Sequence, residues 1–177
     1  RILELASIRE SWSLRTLLHG SRSELIAWGE NDEKQCDIPN RLMKVVEISG
    51  GSGHNLALKE DGTVVAWGRN EWKQCDIPSG LKNVVGISAG IFSHSLAVRK
   101  DGTVVAWGYN KEKQCDVPTG LADVVGISGG SAHSLALKKD DTVVAWGDNQ
   151  WKHCDVPVGL TGAVGISGGG RHSLALK

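Results

Sequence analysis

The chain has 177 residues, with 20 basic and 20 acidic side chains and a formal net charge of zero. That length suits one domain or a stretch of a larger repeat array, and the balanced charge argues against a broad polyanion-binding face for nucleic acid or a membrane surface. No apolar run reaches the ~20 residues of a membrane span, and Arg1 opens no signal-peptide pattern, so any targeting region is expected to have been removed or to lie outside the chain.

Residues 1–21 admit two readings. Residues 2–19 lack Gly and Pro, are rich in helix formers and run into Gly20, which is a helix pattern. The same segment, carried on to residue 29, also aligns without gaps onto residues 80–108. Leu5 then matches Val84, Ile8 matches Ile87 and Leu17 matches Leu96, while Arg15 stands where His94 does. The expectation is a degenerate first repeat or an N-terminal cap.

From residue 22 onward one unit recurs. Trp28, Trp67, Trp107 and Trp146 each sit in Ala-Trp-Gly, spaced 39, 40 and 39 residues apart. Cys36, Cys75, Cys115 and Cys154 keep those spacings, and His54, His94, His133 and His172 follow a similar period. Full units span residues 40–78, 80–118 and 120–157, with a partial one at 159–177, so residues 22–177 read as one tandem-repeat domain.

Each unit carries three short segments, "VVGIS", "HSLALK" and "TVVAWG", bounded by Gly-rich or Asp-Gly punctuation. These are strand and hairpin signals. In the third segment of the second full unit, Val104 and Ala106 point one way and Val105 and Trp107 the other. Both faces are apolar, so both are expected to be buried. Small antiparallel sheets stacked face to face satisfy that pattern, and short connections favour a radial stack over a linear solenoid. The predicted fold is all-β: a β-propeller of three- to four-stranded blades with about four and a half repeats of ~39 residues. Such a partial ring is either a piece of a longer protein or closed by strand exchange, within one chain (residues 22–39 completing the unit that starts at Gly159) or between two copies across the open blade edge.

The reactive-looking residues recur too regularly to form one reaction centre. One Cys per unit, with no Cys-x-x-Cys, reads as a small buried side chain rather than a zinc ligand or disulfide framework. The repeat histidines are expected to satisfy loop carbonyls or amides, and His153, where other units have Gln35, Gln74 or Gln114, to make the same loop hydrogen bonds as those glutamines. Asn31, Asn70, Asn110 and Asn149 are read as turn residues tolerant of unusual backbone angles. Asp37, Asp76, Asp116 and Asp155 are placed to bond local amides. No nucleophile elbow, phosphate loop or zinc-protease motif occurs, so the expectation is a non-catalytic protein without metal or cofactor.

Function is therefore sought where the units disagree. The bend before each His varies: Ser52-Gly53, Ile91-Phe92-Ser93, Ser131-Ala132, Gly170-Arg171. The loop after each Trp-Gly varies too, while the Asp-Gly hairpin is nearly constant. Antiparallel topology puts both variable segments on one rim and the hairpins on the other. That rim gathers Trp72, Trp151, Tyr109, Phe92 and Ile91 with Glu71, Glu112, Arg69 and Arg171. Aromatic and Arg groups rimmed by charge suit a surface that binds a protein partner.

The motifs "AWGxNxxxQ" with a following Pro, "VVxISxG" and "HSLALKxDG" resemble the regulator-of-chromosome-condensation repeat. The short units are similar to its compact form in beta-lactamase inhibitory proteins. The resemblance implies a seven-bladed propeller, and a protein-docking face at the loop positions of Trp72, Trp151, Tyr109 and Phe92. It also implies an alternative, a guanine-nucleotide exchange or chromatin-linked regulator, which the units' lack of insertions and the neutral charge do not support. A third reading, apart from the resemblance, is a structural repeat module of a larger surface or assembly protein.

Overall fold

The structure, a computed structural model, describes residues 25–177. The segment expected to be a degenerate repeat or cap lies outside the described residues.

Every full unit folds into three strands: β1 (Val45–Gly50), β2 (His54–Lys59) and β3 (Val64–Gly68); β4 (Val84–Ala89), β5 (His94–Arg99) and β6 (Val104–Gly108); β7 (Val124–Gly129), β8 (His133–Lys138) and β9 (Val143–Gly147). The last unit supplies β10 (Gly165–Gly168) and β11 (Ser173–Leu176). Each unit makes its own antiparallel sheet in simple meander order, and the fourth sheet has two strands.

Turn chemistry fixes the hairpins. Gly62 and Gly102 adopt φ of 77° and 79°, a left-handed conformation that costs a Cβ-bearing residue energy. Asp141 replaces them with φ 63°, being one of the few side chains that tolerate that region. Each hairpin is then locked by its own aspartate: the Asp61 carboxylate accepts both the Thr63 amide (3.0 Å) and hydroxyl (2.6 Å), and Asp101 and Asp140 repeat the arrangement.

The sheets stack in chain order, and the seams between them are the core. Leu56 and Leu58 of β2 meet Ile87, Ala97 and Trp107 of the second sheet. Leu96 and Val98 of β5 meet Val124, Ala136 and Trp146 of the third. Val105 and Trp107 face the preceding sheet while Val104 and Ala106 face the following one. The second and third strands of the two inner sheets have no wet side because each of those sheets is covered on both faces. The end sheets show the converse, with Ile48 on β1 and Leu174 on β11 both exposed.

Near the axis the first strands are stitched by serines. Ser49 Oγ accepts the Ala89 amide (2.9 Å), Ser88 Oγ that of Gly129 (3.0 Å) and Ser128 Oγ that of Gly168 (2.9 Å). Repeated three-stranded sheets arranged this way form part of a β-propeller.

Candidate protein-binding face

The two variable segments of a unit share a rim because backbone bonds tie them together. As the chain leaves the third strand, Arg69 N donates to Gly53 O (2.7 Å), Tyr109 N to Ser93 O (2.9 Å) and Asp148 N to Ala132 O (2.9 Å). The Asp-Gly hairpins lie at the other end of the strands, where Val84 N donates to Gly62 O and Val124 N to Gly102 O.

The constant residues of the exit loop build its frame. Asn70 Oδ1 accepts the Cys75 amide (2.8 Å) while its Nδ2 donates to Asp76 (2.7 Å), and the same pair of bonds recurs in every unit. The aspartates thus accept from asparagine side chains rather than from local amides. The left-handed residues of these loops are Lys34, Lys73, Lys113 and Lys152, not the asparagines, because each asparagine is held by two side-chain bonds and the chain reverses three residues later.

The cysteines belong to the same frame. Cys75 Sγ donates to Arg69 O (3.2 Å), and its counterparts bond the equivalent carbonyls. Burial pushes the Cys115 thiol up to about 12 and those of Cys75 and Cys154 to about 11, the reverse of what a nucleophile needs. Among the described residues, no three His, Cys, Asp or Glu side chains gather as a metal site.

The buried glutamines act inward. Gln74 Oε1 accepts Trp72 N (2.9 Å), and Gln114 Oε1 accepts Glu112 N (3.0 Å), so each fixes the residue displayed two positions earlier. His153 does not reproduce this bond. Its ring nitrogens make no hydrogen bond, Nε2 standing 3.8 Å from Asp148 Oδ2, while Asp148 Oδ1 accepts the Gln150 amide at 2.9 Å; an imidazole offers no carbonyl oxygen at the reach of the glutamine amide. The repeat histidines also differ from expectation. His54, His94 and His133 bond the hydroxyls of Ser95, Ser134 and Ser173 in the next sheet rather than loop carbonyls or amides.

On this frame the variable side chains meet across the seams. Trp72 and Tyr109, from the exit loops of consecutive units, form an edge-to-face pair with centroids 5.0 Å apart, and Lys111 Nζ stands 5.2 Å from the Trp72 centroid. Ile91 and Phe92 are propped outward, because their amides bond Gly130 O and Ser131 O in the next unit's bend (2.9 and 3.1 Å). Together with Ser52 and Arg69 these aromatic residues line a cleft of about 270 Å³. Arg69 bonds Glu71 and lies 3.8 Å from Glu33. Two units further on, Arg171 stacks over Trp151 at 4.7 Å.

Trp72, Trp151 and Phe92 remain 42%, 52% and 57% exposed, so no loop covers these rings fully. Glu112 is exposed on the unit between the two tryptophans. The rim therefore displays two Trp-centred clusters, on the exit loops of the first and third full units. Lys111 and Ser52 were not singled out in the sequence, since their part depends on the neighbouring unit's loop.

Repeated antiparallel sheets with seam-buried tryptophans define a tandem-repeat β-propeller protein. The model for the regulator of chromosome condensation (RCC1) repeat matches residues 45–71, 84–114 and 124–150, and these units are RCC1-type repeats. It is similar in structure to Prp20p from Saccharomyces cerevisiae (TM-score 0.67, 16% identity, 84% of this chain and 50% of that one). It is also similar to the ectodomain of the Physcomitrella patens receptor kinase CR4 (TM-score 0.63, 27% identity, 78% and 40%). A structure of Kap60 bound to yeast RCC1 (Prp20) matches with TM-score 0.63 and 23% identity, over 75% of this chain and 41% of that one. No curated protein matches by sequence. The chain spans half or less of the length of these structures.

Proposed function

We propose that this protein is a non-catalytic interaction module that captures a protein partner on the rim carrying Trp72, Tyr109, Phe92, Ile91 and Trp151. One observation carries the reading: the exposed aromatic rings stand on the segments that differ between repeats, while the opposite rim repeats nearly unchanged. Folding requires neither Trp72 nor Trp151, since the equivalent positions hold Glu33 and Glu112 in other units. Large rings held at fixed angles lose little conformational freedom on binding and bury much area, as interface anchors do. Prp20p, of the same fold, is described by its binding to Gsp1p and histones, which supports a reading as a protein-recognition module.

The test is quantitative capture from a cell extract by the immobilised chain. Wild type, Trp72→Ala, Trp151→Ala and the hairpin-rim variant Lys100→Ala are compared. The two tryptophan variants lose most of the captured protein, and Lys100→Ala loses none. Equal capture by all four would overturn the assignment. Nucleotide release from a small GTPase, measured alongside, separates an exchange role from simple capture.

A further inference from the structure

The cleft between the first and second full units is built by a longer bend. Before His54 and His133 the bend closes over two residues, Gly51 N donating to His54 O (2.8 Å) and Gly130 N to His133 O (2.9 Å). In the second unit Gly90 N reaches over Ile91, Phe92 and Ser93 to His94 O (2.8 Å). The added length is absorbed at Ser93, a buried residue with φ 59°, which is an uncommon conformation for a side chain with a Cβ. Ile91 is pinned from both sides, its N–H donating to Gly130 O (2.9 Å) and its carbonyl accepting Ser52 Oγ (2.8 Å). The same walls are not repeated in the following seam. Glu112 and Asp148 hold the places of Trp72 and Tyr109 there, and Ser131-Ala132 that of the longer bend. Stacking of the sheets therefore does not require this cleft.

Size and charge narrow what the cleft can take. Its volume of about 270 Å³ lies below the roughly 300–1,000 Å³ of small-molecule sites and suits one large side chain. Trp72, Tyr109 and Phe92 line it, and rings of this kind favour edge or offset contact with a further ring. The two cations beside it are not equivalent. The Arg69 guanidinium is spent on Glu71 and lies 3.8 Å from Glu33, so Arg69 contributes its aliphatic stem rather than a free charge. Lys111 is paired with no carboxylate among the described residues, and its ammonium is held 5.2 Å from the Trp72 centroid. A lysine already held at a ring face has less rotamer freedom to lose when it takes an anion.

We infer that this cleft takes one aromatic side chain of the protein partner, and that a carboxylate beside it in the partner's sequence pairs with Lys111. The inference rests on the reading of this rim as the capture surface and adds the chemistry of what is captured: an exposed aromatic residue flanked by Asp or Glu. Neighbouring residues of a chain have Cα atoms about 3.8 Å apart. A carboxylate next to a ring seated against Trp72 is therefore within reach of the Lys111 ammonium.

Three capped tripeptides test this by NMR titration of the full chain: acetyl-Glu-Phe-Glu-amide, acetyl-Lys-Phe-Lys-amide and acetyl-Glu-Ala-Glu-amide. The first should shift the Trp72 indole and Phe92 amide signals saturably, with a Kd of about 1–10 mM for a single anchor side chain. The second should bind about 3- to 10-fold more weakly, and the third should move neither signal. Phe92→Ala should abolish binding of the first peptide, while Lys100→Ala on the hairpin rim should bind it as wild type does. Lys111→Glu should reverse the order of the two phenylalanine peptides, a gain that an unfolded variant could not show. No saturable shift with the first peptide, equal shifts with all three, or an unchanged order in Lys111→Glu would overturn the inference. Capture by the rim is read separately: loss of captured protein in Trp72→Ala and Trp151→Ala would uphold that reading even where the peptides fail.

Discussion

His94 Nε2 lies 3.3 Å from Ser134 Oγ across the seam between the second and third sheets, and that hydroxyl in turn donates to Gln114 O. The direction of the second bond fixes the first. Ser134 spends its proton on the carbonyl, so His94 donates from Nε2 and leaves Nδ1 bare. Nδ1 of His54, His94 and His133 is buried without a partner in all three seams.

A pH dependence follows. Protonation would place a charge at a buried nitrogen with no acceptor, so burial lowers His94 to about 3 and His54 and His133 to about 4. Below pH ~6.5 the unfolded chain binds protons at these sites that the native chain refuses, so stability falls as the pH drops toward 4 and is level above ~6.5. Each site contributes up to ~1.4 kcal/mol per pH unit within that window. Urea midpoints from pH 8 to pH 4 should show a plateau and then a steep decline, and His94→Gln should shallow the decline. A flat profile would refute it.

Packing at the seams sets the second expectation. Leu96 is fully buried between the second and third sheets, so Leu96→Ala should cost about 2–5 kcal/mol in urea denaturation. Gly130 is constrained by the histidine that follows. A Cβ there would overlap the His133 ring and stand 2.7 Å from Gly169 O, so Gly130→Ala should cost about 1–3 kcal/mol by overpacking. An unchanged midpoint for either variant would contradict the seam geometry.

Thiol reactivity gives a third. With the thiols of Cys75, Cys115 and Cys154 held up by burial and bonded to loop carbonyls, an aromatic disulfide reagent at pH 8 should label them far more slowly than free cysteine. Labelling should become complete only in denaturant. Rapid native labelling of Cys115 would show that the loop frame opens.

Much of this architecture was legible in the letters. Val104, Val105, Ala106 and Trp107 show that neither strand face is wet, and the structure buries the two pairs in different seams. The variable rim was legible as well, since meander topology alone puts the bend and the exit loop together. What the letters hid lies between units. Nothing near His94 in sequence points to Ser134, 40 residues away, and Tyr109 meets Trp72 only because successive blades adjoin. The left-handed lysines were also hidden, because Lys73 carries no turn signature and is set by the bonds of Asn70.

The most direct measurement is a hydrogen-exchange footprint of the chain with its captured partner. Protection should concentrate at residues 69–72, 91–93, 109–112 and 148–151, with hairpins 60–63 and 100–103 exchanging as in the free chain. Protection of the hairpins, with Trp72 and Trp151 unaffected, would place recognition on the constant rim and contradict the account.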